Sequence, residues 1–364
     1  MSDHDIVGRD ATRVCIVGGG PIGLEIAAAL NSAGVDYRLL EAKEVGHTMT
    51  WWAPQTKWFS SNERIAIAGV PLVTADGEKC TRERYLAYLR TVIGTHDLKV
   101  RTFEPVVDVD KLDDGSFRVT SKVRGGLRHT ECEAVVLAIG GTDFPRPLGV
   151  EGDDLPHVDG YLRDPHGYYG RNVLVVGGRN SAVEAALRCH HAGARVSLSY
   201  RGSELPGKSI KYWLLPEIEG LIKTNRIRAF FDTQPTRITP THVALRNVDT
   251  GEVSDVEADE VLALIGYEQD KRLLRRAGVE LTDPGERPVH DDQTMETNVS
   301  GLYVAGTAIA GTQSSSYKIF LENCHVHAER IVKHLGVSPT DSPRPFRYCA
   351  SESFAEQIAE QPES

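Results

Sequence analysis

Two stretches of this chain hold residue types suited to gripping phosphate. Residues 14–25 read V-C-I-V-G-G-G-P-I-G-L-E, and residues 173–187 read V-L-V-V-G-G-R-N-S-A-V-E-A-A-L. In each, a β-branched run enters a glycine turn and an Ala-rich helical stretch leaves it. A helix that starts at such a turn aims its free N–H groups and positive dipole end at a pyrophosphate. In the first stretch Gly18 permits the tight turn and Gly20 lets the backbone approach phosphate. Gly23 lets helix and strand pack closely. About 23 residues after Gly18, Glu41 closes the next predicted strand, where an acid can accept hydrogen bonds from a ribose diol.

The second stretch keeps Gly177 and Gly178 but carries Arg179 at the second glycine's place, then Asn180, Ser181 and Ala182. Alanine is admitted at that third position. The following strand ends Ser199-Tyr200-Arg201, so that about 24 residues after Gly177 a cation replaces the carboxylate. A guanidinium there suits a 2′-phosphate, which predicts NADP rather than NAD. Lys208 and Lys211 follow and can add charge, while Glu204 runs against the trend.

Other reactive residues form no constellation. The six cysteines, Cys15, Cys80, Cys132, Cys189, Cys324 and Cys349, include no C-x-x-C, which removes the usual redox dithiol and zinc ribbon. In Cys324-His325-Val326-His327 the two histidines stand at i and i+2, which do not face each other on a helix, and Cys189-His190-His191 has the same problem, so no metal is expected. Core packing is the expectation for Cys324, with a thiol near a cofactor as the alternative. His157 and His166 fall in the stretch before the second turn and read as surface residues, with a hinge or nicotinamide-site role as the alternative. No residue is assigned as catalytic.

The elements that must position these turns follow from the patterning. Strands are expected at 13–17 and 35–40 around a helix at 22–33, and a helix at 81–95 with Thr81 as its cap and Tyr85, Leu86, Leu89, Val92 and Ile93 as its apolar side. Trp51, Trp52, Trp58 and Phe59 crowd a loop that reads as core packing or as the lining of a flat cofactor. Strands are expected within 99–140, the last entering Gly140, and again at 236–246 and 252–265, the last entering Gly266. A strand at 301–306 runs into Gly306, and a helix is expected from near Ser316, with Phe320, Cys324, His327, Ile331 and Leu335 on one face.

The chain has 364 residues, enough for two domains. Its net charge of −10 argues against nonspecific nucleic-acid binding. The polar first dozen residues and the glycine-broken longest apolar stretch predict neither a secretory leader nor a membrane span, which leaves the cytoplasm.

The motifs GGGPIGL (18–24), WFSSNERIAIAGVP (58–71), VEGDDLP (150–156), VVGGRNSAVEAAL (175–187), YRG (200–202), SIKYWLLP (209–216), ALIGYEQD (263–270) and YVAGTAIAG (303–311) occur in order. With them the chain resembles the thioredoxin-reductase-like flavoproteins, and within them the YpdA-type bacillithiol disulfide reductase family, over roughly residues 12–336. That resemblance implies an α/β fold of two Rossmann-like dinucleotide-binding domains, an FAD domain with an inserted NADPH domain. It implies an FAD domain at 13–155 and 286–336 and an NAD(P)H domain at 165–285; outside them, 1–12 is expected to be flexible, and the Pro/Ser-rich, then acidic 337–364 a partly ordered tail. Gly18, Gly20, Pro21, Gly23, Glu41, Ser60, Val106, Gly140 and Gly306 would contact FAD. Gly177, Gly178, Arg179, Asn180, Ser181, Arg201, Lys211 and Gly266 would contact NADPH. Hydride would pass from NADPH to FAD and on to a small-molecule or small-protein acceptor, such as bacillithiol disulfide. The helix expected near Ser316 would aim its N-terminus at the flavin's pyrimidine edge. A ferredoxin or quinone reductase, a monooxygenase-like enzyme and a non-enzymatic redox sensor are the alternatives, and a homo-oligomer is left open.

Two positions depart from the relatives. Ile22 stands where the family often has a cysteine, so the turn offers no thiol. Thr307 stands where thioredoxin reductases proper have an aspartate on the ribitol, an aspartate that the YpdA-type family also lacks.

Overall fold

A computed structural model describes residues 6–312 and 319–337. The expected helix start near Ser316, residue Cys349 and all of the expected tail but Val337 lie outside the described residues. The described chain divides into two compact units. One comprises 6–50, 57–143, 268–312 and 319–337, and the other 51–56 and 144–267.

The first unit is built on a mixed sheet. Strands β1 (Ile6–Val17), β2 (Tyr37–Leu40) and β3 (Val100–Arg101) lie parallel, in the order β3-β2-β1. The hairpin strands β4 (Val106–Lys111) and β5 (Phe117–Val123) lead into the long β6 (Gly126–Leu137), which runs parallel to β1 from Leu127 to Leu137. The closing strand Leu302–Val304 joins the C-terminal end of β6 in parallel. Strands buried on both faces read as unbroken apolar runs, and Val14, Cys15, Ile16, Val135, Val136 and Leu137 are all fully buried. Residues 6–12, expected as a flexible end, form the first half of β1, because the first half of β6 supplies their hydrogen-bond partners.

Helix α1 (Pro21–Ser32) starts with proline, buries Leu24, Ile26, Ala27 and Leu30, and stops at Gly34 in the left-handed region. Helix α2 (Arg82–Thr95) is capped by Thr81, whose Oγ1 accepts from the Arg84 amide at 3.4 Å. Its buried side includes Tyr88, which the apolar pattern omitted. The Tyr88 hydroxyl accepts from the Ile67 amide at 2.7 Å and donates to the Val70 carbonyl at 2.7 Å, which pins the 67–70 loop.

The second unit holds five parallel strands. They are β7 (Val158–Asp159), β8 (Asn172–Val176), β9 (Arg195–Ser199), β10 (Arg228–Phe230) and β14 (Glu260–Ala263), in the order β10-β9-β8-β14-β7. Between β10 and β14 the chain makes an antiparallel sheet of β11 (Thr233–Ile238), β12 (His242–Asn247) and β13 (Val253–Glu257). The expected strands 236–246 and 252–265 are therefore each two strands, because Pro240 turns the chain in one and the Ala258–Asp259 step breaks the other. Helices α3 (Asn180–His191) and α4 (Leu215–Lys223) cover the parallel sheet.

Residues 268–285, expected with the inserted domain, belong to the first unit. Gln269 donates to the Gly140 carbonyl at 2.9 Å and to the Ala308 carbonyl at 3.0 Å, and buried Lys271 reaches Glu286 at 2.9 Å and Thr312 at 2.8 Å. Trp51–Thr56 groups with the second unit, where Arg188 bonds Thr56 Oγ1 at 2.7 Å and also the Pro54 carbonyl. The aromatic loop thus divides: Trp51 packs on Tyr161 and Tyr267 at 4.4 and 5.4 Å, while Trp58 packs on Tyr85 at 4.5 Å.

Replacing Tyr88 by Phe leaves the buried Ile67 amide without its acceptor. Tyr88→Phe lowers stability by about 1–3 kcal/mol, read as a lower melting temperature.

Candidate functional site: two matched glycine turns

The two turns coincide bond for bond. The Gly18 amide donates to the Leu40 carbonyl at 2.8 Å, and the Gly177 amide to the Ser199 carbonyl at 2.9 Å. Ala138 N donates to Val17 O at 2.8 Å, and Leu264 N to Val176 O at 2.9 Å. These pairs put Gly18 with Gly177, Gly20 with Arg179, Ile22 with Ser181, Gly23 with Ala182 and Gly140 with Gly266.

Steric demands explain the glycines. A Cβ on Gly18, at φ +111°, would lie 2.4 Å from the Ala138 carbonyl oxygen, and one on Gly177, at φ +139°, 2.5 Å from that of Leu264. A Cβ on Gly23 would lie 1.9 Å from the Gly18 carbonyl oxygen, so no side chain fits there. The second turn is wider: Ala182 has a real Cβ, 3.0 Å from where one on Gly177 would stand. By contrast, a Cβ on Gly20 or on Gly140 would meet nothing within 4 Å. Open space at Gly20, beside the first turn of α1, is what a pyrophosphate approaching the backbone requires. Pro21 lacks an N–H that would have needed a partner there.

Glu41 is buried, and its carboxylate binds the turn itself. Oε2 accepts from the Gly19 amide at 2.6 Å and Oε1 from the Lys43 amide at 2.8 Å. Each oxygen retains acceptor capacity for a ribose hydroxyl. The Glu104 amide donates to the Glu41 carbonyl at 2.9 Å, which draws the stretch before Val106 alongside the acid. Ser60 is buried and donates to Glu322.

The matched bonds also correct the sequence register. The residue after Leu40 is Glu41, and the residue after Ser199 is Tyr200. Tyr200, not Arg201, stands in the acid's place. Its ring covers Gly178, where a Cβ would fall 2.4 Å from the ring. Arg201 lies one residue further out, is exposed, and among the described residues its side chain has no partner, which is also true of Arg179. Asn180 opens α3, and its Oδ1 accepts from the Lys211 amide at 2.8 Å, while Lys211 itself is buried with its ammonium 5.9 Å over the Trp213 ring. Ser181 is exposed on the first turn of α3.

Gly306 is tied down by a residue that the pattern placed only as core. The Gly306 amide donates to His327 Nδ1 at 3.0 Å, and Ile22 packs against the turn, 3.4 Å from where a Gly306 Cβ would be. Burial, with Arg330 nearby, pushes the His327 pKa down to about 4, so it stays a neutral acceptor. The closing helix spans His325–His334, not the expected run from Ser316. Phe320 is extended and 44% exposed, and a single tight turn at Leu321–Asn323 precedes the helix. Cys324 sits at the helix cap, buried, with its thiol directed at the Phe320 carbonyl at 3.1 Å. Burial and the neighbouring Glu322 and Glu25 raise its pKa, so it is no ready thiolate.

His325 and His327 face different partners. His325 Nδ1 meets Glu25 Oε2 at 2.9 Å, and its Nε2 meets the Arg64 carbonyl at 2.9 Å. Two acceptors require two N–H groups. Burial works against the charge, but Glu25 and the Arg64 carbonyl raise the His325 pKa above its usual 6.5. Cys15, Cys80, Cys132 and Cys189 are also buried, and His191 pairs with Glu217 at 2.7 Å.

Comparison with known proteins adds independent findings. Residues 15–306 match the family described as pyridine nucleotide-disulphide oxidoreductase. The chain is 35% identical over 324 residues to the bacilliredoxin reductase Bdr of Bacillus subtilis, covering 89% of this chain and 97% of that protein. It is 28% identical over 307 residues to a ferredoxin–NADP reductase of Ignicoccus hospitalis, covering 82% and 89%. Its fold is similar to that of the bacillithiol disulfide reductase Bdr (YpdA) from Staphylococcus aureus, with a TM-score of 0.83, 33% identity, and 90% and 98% of the two chains covered. No helix among the described residues is long and apolar enough to cross a membrane.

The unequal turns predict unequal tolerance. Gly23→Ala forces the backbone apart and lowers both the yield of dinucleotide-loaded protein and its melting temperature. Ala182→Gly costs only about 1 kcal/mol of helix propensity and leaves loading of the first turn intact. Absorbance of the purified variants and thermal melts check both. The raised His325 pKa gives a pH signature. Its pair with Glu25 adds stability that is complete below pH 6.5, the unfolded value, and fades as pH rises through the higher folded value. In His325→Gln the melting temperature loses that pH dependence.

Proposed function

Because the chain belongs to the pyridine nucleotide-disulphide oxidoreductase family, we propose that it is an FAD-dependent NADPH oxidoreductase. It passes a hydride from NADPH to FAD and the electrons on to a small acceptor, a low-molecular-weight disulfide such as bacillithiol disulfide. The observation that carries this reading is the difference in charge just after the second strand of two turns whose backbone bonds match. One has a buried carboxylate, Glu41, after its second strand; the other has Tyr200 followed by an exposed arginine whose side chain has no partner among the described residues. An acid suits the free ribose of FAD, and a guanidinium suits the 2′-phosphate of NADPH.

The residues present fit both groups. Gly18, Gly20, Pro21 and Gly23 would take the FAD pyrophosphate at the start of α1, with Glu41 on the adenosine ribose. Ser60, Val106, Gly140 and Gly306 would line the rest of that site. Gly177, Gly178, Arg179, Asn180 and Ser181 would take the NADPH pyrophosphate, with Arg201 and Lys211 for charge and Gly266 at the strand end. The bound flavin supplies the two-electron chemistry. The chain's part is to hold and orient. His327 fixes the Gly306 amide, so that this turn meets α1 in one conformation. Buried free thiols fit a reducing compartment such as the cytoplasm.

The acceptor is the less constrained half. Ile22 is buried and cannot form a mixed disulfide, and every described cysteine is buried. Among the described residues no thiol is placed to form a mixed disulfide, so a disulfide would meet the flavin directly. That shortage of an accessible thiol among the described residues favours a second reading, an electron-transfer reductase whose acceptor is an iron–sulfur protein or a quinone.

Arg201 decides the donor. Wild-type kcat/KM favours NADPH over NADH, Arg201→Ala lowers kcat/KM for NADPH about ten-fold or more, and NADH is little affected. A wild-type preference for NADH contradicts the reading. A panel of bacillithiol disulfide, ferredoxin and quinone then separates the two acceptor classes by turnover.

A further inference from the structure

The second unit displays a large aromatic ring, Tyr212, that stands almost wholly in solvent. Tyr212 is 81% exposed and Trp213 37% exposed. Their rings meet edge to face, with centroids 4.9 Å apart and planes at 87°. Exposed aromatic side chains of this size are informative, because burying them would contribute stability. The segment under them is anchored. Ile210 is buried in the core with α3, and the Lys211 amide donates to Asn180 Oδ1 at 2.8 Å. The pair therefore stands beside the first residue of α3, next to Arg179. Lys211 lies against the Trp213 face, with its ammonium 5.9 Å from the ring centroid. Across the turn, the Tyr200 ring packs against Gly178, and Arg201 follows it. Among the described residues, Arg179, Arg201 and Lys208 are exposed, and their side chains have no partners.

Unpartnered cations beside a propped, solvent-facing aromatic ring match a phosphorylated adenosine: charge for the phosphates and a flat apolar face for the base. We propose that Tyr212 stacks on the adenine of the bound pyridine nucleotide and that Trp213 is a positioning residue that holds the Tyr212 ring upright. This deepens the NADPH reading of the second turn and rests on it. Arg201 would discriminate the 2′-phosphate, while Tyr212 would add affinity for any adenosine carrier, NADH included. A docking face for a second copy of the chain is the competing use of these rings.

The test uses the full-length protein with four probes: NADPH, NADH, adenosine 2′,5′-bisphosphate, and reduced nicotinamide mononucleotide, which lacks the adenine. Tyr212→Ala raises KM for both NADPH and NADH about ten-fold, as loss of one base–aromatic stack does, while kcat changes less than about two-fold. It weakens calorimetric binding of adenosine 2′,5′-bisphosphate by the same factor and does not alter the rate with reduced nicotinamide mononucleotide. Trp213→Ala shows a smaller KM effect, and Trp213→Phe restores it. Unchanged KM and unchanged bisphosphate affinity in Tyr212→Ala overturn the proposal, as does a changed oligomeric state without a change in either. Bisphosphate binding reads the subsite whether or not hydride is transferred. Failure of NADPH to reduce the wild-type protein, with bisphosphate binding still dependent on Tyr212, would sink the reductase reading and keep the adenine site.

Discussion

A backbone contact that no side chain can share governs this structure. Gly23 lies so close to the Gly18 carbonyl that a Cβ would stand 1.9 Å away, and Gly18 in turn abuts the Ala138 carbonyl. That approach sets α1 against the ends of β1 and β6. It leaves the first helical N–H groups and the space at Gly20 facing outward together. Parallel strands order the sheet so that Gly140 and Gly306 come to the same edge, as ligand sites in open α/β sheets require. His327 and Ile22 then hold the Gly306 turn in place.

The second unit repeats the arrangement with one relaxation and one substitution. Ala182 shows that its turn is wider. Tyr200 shows that the place held by Glu41 in the first unit is filled by a ring, which puts the guanidinium one residue further out. Affinity for phosphate needs only glycine turns and a helix start, and both units have them. On the proposed reading, discrimination between dinucleotides comes from the residues just after the second strand, where the units differ in charge.

Much of this was legible because turn chemistry is local. The glycine spacings, the acid at Glu41, the cap at Thr81 and the two strand-to-glycine endings each depend on a few neighbouring residues. The register at Tyr200 was not legible, because alternation does not say which residue of an apolar run is the last to pair. The closing helix was predicted too long because apolar spacing continues through Phe320 and Cys324 although the backbone there is extended and then tightly turned. The bond from Gly306 to His327 joins elements through tertiary packing, and the pairs Glu25–His325 and Arg188–Thr56 do so too. No periodicity announces them. Residues 6–12 carry no strand signal of their own and pair only because β6 extends beside them.

The central claim is that one turn holds FAD and the other delivers a hydride from NADPH. Anaerobic titration of the purified protein with NADPH, followed by flavin absorbance, tests it most directly. The account predicts a protein that carries FAD and is bleached by about one equivalent of NADPH per chain. A chain that binds no flavin after reconstitution, or whose flavin stays oxidised under excess NADPH, would contradict it.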